Sequence, residues 1–338
     1  MATVRAHTET PGLSMAVADS EGRVRVFVSG TRSNQNSTAV RPSDSWHIGS
    51  NTKALTALLF ARLAEENIVD WDQPLPTFFP DLKSQIDPGW NTITIKDLFS
   101  HRSGMRSIIS SDVDLLSDAP LTDLRQTGVV VLLGKPPSRK IGKFHYSNLN
   151  YVVAGAAIEA ALSREFSREV SWEEAMQTYI FDAVPNLKAR MGWGFGPPEH
   201  VEGHKEHIFK SPVPVGKGEA ADNHPVLGPA GTLHAAPGPH ALLLAEFLRM
   251  DPSFLPRHQR DILWEPYPDD EIEYAMGWSI DIHTEYGPIY IHNGSNTYWY
   301  SVAIIAPDLD RAVVVNANLG IEYLITDLAF SALRVPLD

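Results

Sequence analysis

Strand-type segments lie at both ends of this 338-residue chain, and helical segments fill the middle. Near the N-terminus, two apolar runs flank the hairpin-type turn Asp19-Ser20-Glu21-Gly22-Arg23. Near the C-terminus, four more runs separated by turn residues have the pattern of a meander. The predicted strands are residues 13–18, 24–28, 274–282, 289–291, 300–306 and 312–316. We therefore predict one mostly antiparallel sheet that is assembled from both ends of the chain.

The helical pattern of the middle begins at Ser50. Apolar residues between positions 54 and 64 cover nearly every face, so this helix is predicted to be buried rather than amphipathic. Further helices are predicted at about residues 95–100, 149–161, 172–180, 239–249 and 321–333, and residues 182–231 are predicted to be a long structured loop region. The fold class is α+β, with a sheet region in residues 1–49 and 225–338 and a mainly helical region in residues 50–224.

Composition removes several classes of function. The chain has no cysteine, which excludes disulfides, thiol nucleophiles, thiolate zinc sites and iron–sulfur clusters. A net charge of −13 argues against nucleic acid and anionic membranes as partners. No apolar run approaches the roughly 20 residues of a membrane helix, and no signal-peptide pattern opens the sequence. We expect no membrane span, and either a cytoplasmic protein or a secreted one whose leader is missing from this sequence; the oligomeric state stays open.

Ser50-Asn51-Thr52-Lys53 stands at the start of the predicted buried helix. The three-residue spacing puts the Ser50 and Lys53 side chains on one helix face. A lysine in apolar surroundings has a lowered pKa, so its amine can take a proton from a neighbouring hydroxyl. The helix N-terminus adds positive potential beside such a nucleophile. The alternative is that Ser50 only caps the helix while Lys53 extends to water.

Tyr146-Ser147-Asn148 lies just before a second helical run, and no other Tyr-x-Asn occurs in the chain. A phenol has a pKa near 10, so it becomes a useful proton shuttle only beside a cation such as Lys53. The Asn148 amide can both donate to and accept from a substrate amide or carbonyl. The alternative is an ordinary helix-entry turn.

His292-Asn293-Gly294 directly follows a predicted strand. Glycine on an edge strand lets a substrate or another backbone approach closely. The N–H of Ser295 would then face a substrate carbonyl and pair with the N–H of Ser50 as an oxyanion hole. His47-Ile48-Gly49 and Lys140-Ile141-Gly142 have the same loose spacing but do not continue a strand into the C-terminal meander.

These three motifs, in this order and in these contexts, resemble the serine β-lactamase and penicillin-binding-protein superfamily, for which a sister version of the code is known in class A enzymes. The likeness is greatest to class C β-lactamases, DD-peptidases and the related family VIII esterases. It extends over residues 11–318 through the segments Pro11-Gly12-Leu13, Ile48-Gly49-Ser50, Leu98-Phe99-Ser100-His101-Arg102-Ser103-Gly104-Met105, Gly228-Pro229-Ala230-Gly231 and Met276-Gly277-Trp278.

The resemblance implies an antiparallel sheet flanked by helices, with an all-helical insertion and the active site in the cleft between them. It makes Ser50 the nucleophile, Lys53 its activator and Tyr146 the proton relay to the leaving group and later to the deacylating water. It gives Asn148 the task of orienting the substrate, His292 the opposite wall of the site, and His101 and Gly104 a structural role.

His292 stands where class C β-lactamases and many transpeptidases have lysine. A lysine there is a permanent cation for a substrate carboxylate, whereas histidine is mostly neutral near pH 7. Some DD-peptidases, D-amino-acid amidases and esterases of the superfamily use histidine at this position. We predict that Gly294, Ser295 and Trp299 also contribute to substrate binding, although Trp299 could equally be a core residue.

We therefore expect a serine hydrolase that uses no cofactor and no metal and cleaves a small-molecule ester, amide or peptide. D-amino-acid peptides and β-lactams are candidate substrates. An acyltransferase of the same fold and a non-catalytic penicillin-binding sensor are the alternatives. His200, His204 and His207 have spacing that would suit a metal site, but their Pro/Gly-rich surroundings favour a solvated loop. Gly-x-Ser-x-Gly is absent, which argues against an α/β-hydrolase.

Overall fold

The structure is a computed structural model, and it describes residues 1–107, 119–207, 211–216, 218, 221–266 and 273–337. In chain order, its strands are β1 (Gly12–Ala18), β2 (Val24–Gly30), β3 (Trp46–His47), β4 (Trp193–Phe195), β5 (His204–Lys205), β6 (Val213–Pro214), β7 (Leu233–Ala235), β8 (Ser279–His283), β9 (Gly287–Ser295), β10 (Tyr300–Ala306) and β11 (Arg311–Ala317). Its α-helices are α1 (Ala2–Thr8), α2 (Thr52–Glu65), α3 (Ile95–Phe99), α4 (Leu121–Leu133), α5 (Asn148–Phe166), α6 (Trp172–Met176), α7 (Gly228–Gly231), α8 (Pro237–Arg249), α9 (Arg257–Trp264) and α10 (Tyr323–Ala332).

The main sheet has six strands in the order β2-β1-β11-β10-β9-β8, and every neighbouring pair is antiparallel. The two ends of the chain meet where β1 pairs with β11, with Leu13 opposite Ala317. The predicted sheet and the α+β class are therefore confirmed. A smaller sheet has the order β3-β7-β4, and β5 and β6 form a hairpin of two short strands.

Both faces of the main sheet are buried, which follows from its apolar central strands. Successive side chains of a strand point to opposite faces. Ala16, Ile305 and Val314 accordingly belong to one core, with α2, α5 and α8. Met15, Ile304 and Val313 belong to a second core beneath α10. The sheet is therefore a middle layer that holds β9 rigidly against the helical side of the molecule.

Some elements differ from the prediction. α1, α4 and α9 were not predicted. In α4, Gly128 and three consecutive valines disfavour a helix by propensity, and tertiary packing overrides that preference. The predicted strand at 274–282 begins only at Ser279. The predicted loop region contains β4 to β6 and α7, while its residues 208–210, 217, 219 and 220 lie outside the described residues. Among the helices that the structure describes, none has the length and apolar character to cross a membrane.

Candidate active site

The predicted nucleophile lies in a 3₁₀ turn, Gly49–Asn51, that leads directly into α2. Ser50 is half-buried, while Lys53 in the first turn of the helix is completely buried. Nζ of Lys53 lies 3.0 Å from Oγ of Ser50 and donates a 2.6 Å hydrogen bond to the carbonyl of Ala230 in α7. Helix α2 thus brings the hydroxyl and the amine together as the spacing predicted, and α7 supplies a partner for the amine.

Burial lowers the pKa of Lys53 well below its usual value. The rings of Tyr146 and Tyr151 lie 5.0 and 5.5 Å from Nζ and oppose this effect as cation–π partners. Such a contact stabilises an ammonium by only about 0.5–2 kcal/mol, which is less than the loss of hydration on full burial costs it. No carboxylate of the described residues forms an ion pair with Lys53. The neutral amine is therefore favoured, and its lone pair can face Ser50.

Tyr146 covers this pair from the solvent side. It is 38% exposed, and its hydroxyl hydrogen-bonds Ser50. Although the side chain is partly exposed, the surrounding protein desolvates its hydroxyl and raises the pKa of Tyr146 to about 12, and the hydrogen bond with Ser50 opposes that rise. The phenol therefore keeps its proton at neutral pH. A protonated phenol and a neutral amine beside the same hydroxyl can act as an acid and a base.

The turn that carries Tyr146 is held by a buried histidine. Ser147 caps α5, because its Oγ accepts from the N–H of Leu149. Nδ1 of His101 accepts from the N–H of Ser147 and from the amide of Asn150, and its ring lies 4.3 Å from that of Tyr146. Asn148 is the first residue of α5 and is half-buried. The geometry agrees with the structural role expected for His101.

His292 lies on β9 and is buried close to Lys53. Its Nδ1 is 2.9 Å from the backbone carbonyl of Asn293, and its Nε2 is 3.1 Å from the hydroxyl of Tyr274. Because a carbonyl only accepts, Nδ1 carries the proton, and Nε2 accepts from Tyr274. Burial and the nearby Lys53 lower the pKa of His292 to about 3. This histidine is neutral, and both of its nitrogens are occupied.

The end of β9 lies backbone to backbone against the turn of Ser50. A Cβ on Gly294 would lie 1.9 Å from the carbonyl oxygen of Ile48 and 2.9 Å from N of Ser50. A Cβ on Gly49, whose φ is +51°, would lie 2.4 Å from N of Ser295. Only glycine fits at either position. The contact brings the amide nitrogens of Ser50 and Ser295 to the boundary between the Ser50 turn and the end of β9. An oxyanion hole needs two such backbone N–H groups beside each other.

Trp299 requires a correction. It is 1% exposed, its ring stacks on that of His47 at 5.7 Å, and it packs with Trp46 and Val201 in a small core. Because the turn after β9 directs this side chain inward, it does not face a substrate. The prediction that Trp299 binds substrate is wrong, and the residue belongs to the core.

The histidines at positions 200–207 do not form a cluster. His204 is fully buried in β5, with Nδ1 2.9 Å from the carbonyl of Asn318 and Nε2 accepting from the N–H of Asn34. Within the part of the chain that the structure describes, no group of three or more potential ligands is arranged to hold a metal ion.

Several residues at the site were missed by sequence reasoning. The carbonyl of Ala230, the Tyr274 hydroxyl and the His47–Asp222 pair, whose atoms lie 2.6 Å apart, come from distant parts of the chain. Gly228-Pro229-Ala230-Gly231 and Met276-Gly277-Trp278 had marked two of these neighbourhoods through the family likeness. His47 had been noted only for the loose spacing of His47-Ile48-Gly49, and nothing local in the sequence distinguished Asp222.

Comparison with known proteins identifies a family to which this chain is similar. A family model described as Beta-lactamase matches residues 2–329. The unguisins hydrolase ungD' of Aspergillus campestris is 26% identical over 330 residues, which cover 91% of this chain and 58% of that protein. The chain therefore spans less than two thirds of the length of this curated relative.

Two solved structures are similar over nearly their whole lengths. A class C beta lactamase from Rhodobacter sphaeroides has a TM-score of 0.76 at 19% identity, covering 98% of this chain and 96% of its own. The D-amino acid amidase from Ochrobactrum anthropi SV3, complexed with D-phenylalanine, has a TM-score of 0.73 at 17% identity, with the same coverages. Such likenesses show the fold. Since the family model also spans almost the entire sequence, the chain belongs to the beta-lactamase family.

Proposed function

We propose that this protein is a serine hydrolase that cleaves esters or amides through an acyl-enzyme on Ser50. The observation that carries the proposal is the 3.0 Å approach of Nζ of Lys53 to Oγ of Ser50, at a place where burial lowers the lysine pKa. A neutral amine there can accept the hydroxyl proton as the oxygen attacks. The proposed mechanism needs no cofactor and no metal.

In the acylation step, Oγ of Ser50 bonds to the substrate carbonyl carbon while its proton moves to Nζ of Lys53. The carbonyl oxygen becomes an oxyanion, which the N–H groups of Ser50 and Ser295 stabilise. When the oxyanion collapses, the bond to the leaving group breaks, and the leaving group takes a proton from the Tyr146 hydroxyl. The Lys53 ammonium returns a proton to Tyr146.

Deacylation repeats these transfers with water as the nucleophile. Water attacks the acyl carbon, and its proton passes through Tyr146 toward Lys53. When this second oxyanion collapses, the bond between Oγ of Ser50 and the acyl carbon breaks, Oγ takes a proton from the Lys53 ammonium, and the acid product leaves. Asn148, half-buried at the start of α5, is the proposed partner for a polar group of the acyl part.

The proposed substrate class is inferred from the lack of charge on His292, which lines one side of the proposed site. Both of its nitrogens are occupied within the protein, so it offers no cation to a substrate carboxylate. This favours an ester or amide without a carboxylate beside the scissile bond over β-lactams and peptides that carry one. An amide bond is also consistent with similarity to a D-amino acid amidase.

Hydrolysis of p-nitrophenyl acetate tests the proposal. We expect Ser50→Ala to abolish turnover and Ser331→Ala, an exposed serine of α10, to leave it unchanged. Mass spectrometry after a fluorophosphonate should find the label on Ser50. Turnover that survives in Ser50→Ala, or labelling at another residue, would contradict the assignment.

Two further assays separate the proposed hydrolase from the two alternatives. For an acyltransferase, added amines or alcohols would take most of the acyl group in competition with water. For a non-catalytic sensor, penicillin would acylate Ser50 without release. We expect acetic acid as the main product when acceptors compete with water, and no stable penicillin adduct on Ser50.

A further inference from the structure

A buried carboxylate connects the two backbone segments that meet at the proposed oxyanion hole. The side chain of Asp222 is 2% exposed and that of His47 is fully buried, and Nε2 of His47 lies 2.6 Å from Oδ1 of Asp222. His47 ends β3 and precedes the Ser50 turn. Asp222 comes from a segment far along the chain and is not part of the catalytic sequence motifs.

The His47 ring links this carboxylate to the backbone beside the nucleophile. The N–H of Gly49 donates to Nδ1 of His47 at 3.1 Å. Because a backbone N–H can only donate, Nδ1 is the accepting nitrogen, and Nε2 carries the proton that is donated to Asp222. Gly49 directly precedes Ser50 and has a positive φ of +51°. The pair thus fixes the imidazole tautomer and, through it, the Gly49 peptide.

The same carboxylate oxygen also holds the other donor segment. Oδ1 of Asp222 accepts from the amide of Asn296 at 3.3 Å and from the N–H of Asn223 at 2.6 Å. Asn296 directly follows Ser295, and its own Oδ1 accepts from the N–H groups of Tyr298 and Trp299. The tight turn after β9 is therefore tied to Asp222 and is closed internally by the Asn296 side chain.

We propose that Asp222 is a positioning residue that sets the relative placement of the Ser50 and Ser295 N–H groups through His47 and Asn296. This inference rests on the proposed function, because it assigns a role within the same acyl transfer. Asp222 does not touch the reacting atoms. It acts through hydrogen-bonded neighbours in the Ser50 turn and at the end of β9. Its loss should therefore weaken oxyanion stabilisation more than substrate binding.

The test compares phenyl acetate with phenyl thionoacetate. The thiono sulfur gains less than oxygen from N–H donors, so a damaged oxyanion hole slows the oxygen ester more. In Asp222→Ala we expect kcat for phenyl acetate to fall about 10- to 100-fold, with KM within about 3-fold of wild type. The ratio of kcat for phenyl acetate to kcat for phenyl thionoacetate should fall as well. A purely structural defect would slow both esters equally.

Three further variants sharpen the result. Asp222→Asn keeps the oxygen that accepts all three hydrogen bonds and should recover most of the activity. Asp19→Ala removes another buried carboxylate, one that binds Arg23 and two backbone N–H groups in the β1–β2 turn, and should leave the ester ratio unchanged. If Asp222→Ala does not fold, His47→Phe keeps the ring beside Trp299, removes the acceptor for Gly49 and should lower the same ratio.

The outcomes distinguish the two levels of the proposal. An unchanged ester ratio in Asp222→Ala, or in His47→Phe where that variant replaces it, overturns the positioning role. So does an Asp222→Asn protein as defective as Asp222→Ala. If the wild-type protein hydrolyses neither ester, the proposed function itself fails.

Discussion

The hydroxyl of Tyr274 lies 3.1 Å from Nε2 of His292, and the other ring nitrogen of His292 is 2.9 Å from the carbonyl of Asn293. Tyr274 is almost completely buried, so solvent does not compete for this bond. The pair makes His292 a neutral side chain whose two ring nitrogens both form hydrogen bonds within the protein. A lysine at the same place would instead present a charge.

The first prediction concerns substrate charge. The ester 3-acetoxybenzoate differs from phenyl acetate only by an added carboxylate. We expect kcat/KM for phenyl acetate to be about 10-fold or more higher, because a carboxylate beside the neutral His292 loses its hydration without gaining a partner. Each rate is divided by the rate of hydroxide hydrolysis to remove the difference in leaving group. A preference for 3-acetoxybenzoate would show that a cation recognises the carboxylate.

The second prediction concerns Lys53 as a base. Burial lowers its pKa well below 10.5, and the neutral form is the active one. In the wild-type protein, kcat/KM should therefore rise with pH and reach its plateau well below pH 10.5. Lys53→Met should reduce turnover by about 10³-fold or more, because among the described residues no other base contacts Ser50. Lys53→Arg, which stays charged, should be equally inactive.

Lys53→Met should also stabilise the fold, and the pH dependence has a definite sign. The native protein binds fewer protons at Lys53 than the unfolded chain does between the lowered pKa and about 10.4. Wild-type stability therefore rises with pH through that window, and the Met variant lacks this contribution. Thermal unfolding should show a larger gain in Tm for the variant at about pH 6 than at about pH 10. If the Met variant had a lower Tm than the wild-type protein at about pH 6, burial of Lys53 would not destabilise its charged form.

The third prediction separates Tyr146 from Lys53 through the leaving group. Burial raises the pKa of Tyr146 to about 12, so it is a proton donor at neutral pH. A p-nitrophenolate leaves without a proton, whereas an alkoxide or an amine needs one. In Tyr146→Phe we expect the acylation rate to fall by about 10²-fold or more for an ethyl ester or an anilide and by far less for p-nitrophenyl acetate. Equal losses for all three substrates would argue against proton donation.

The pairing of Ser50 with Lys53 was accessible from sequence because it is local. A spacing of three residues on a helix fixes which side chains meet. The apolar run at residues 289–291 likewise indicated β9, the strand that carries His292, and the apolar strands at both chain ends predicted the sheet in which β1 pairs with β11. Such features depend only on the regular geometry of one element or on burial of a whole segment.

The remaining features depend on contacts between distant segments. Asp222 meets His47 across 175 positions, and Ala230 meets Lys53 across 177. Neither segment has a periodic pattern that announces its partner. Trp299 was ambiguous for the same reason, since a tryptophan after a tight turn can point outward or inward. The packing of the Trp46 core decides its direction.

The last prediction tests the backbone contact between β9 and the Ser50 turn. Gly294→Ala would place a methyl 1.9 Å from the carbonyl oxygen of Ile48 and 2.9 Å from N of Ser50. Both are backbone atoms, so the two segments must separate, and the oxyanion donors separate with them. We expect kcat to fall by about 10²-fold or more and the free energy of unfolding to drop by about 1–3 kcal/mol.

A matched glycine controls for the substitution itself. Gly128 lies within α4, and no atom of the part of the chain that the structure describes lies within 4 Å of an added Cβ there. Gly128→Ala should therefore leave kcat unchanged and stabilise the protein by about 0.5–1 kcal/mol through helix propensity. Urea unfolding and steady-state kinetics on both variants measure the two effects. If Gly294→Ala kept wild-type kcat, the contact between β9 and the Ser50 turn could not set the oxyanion geometry.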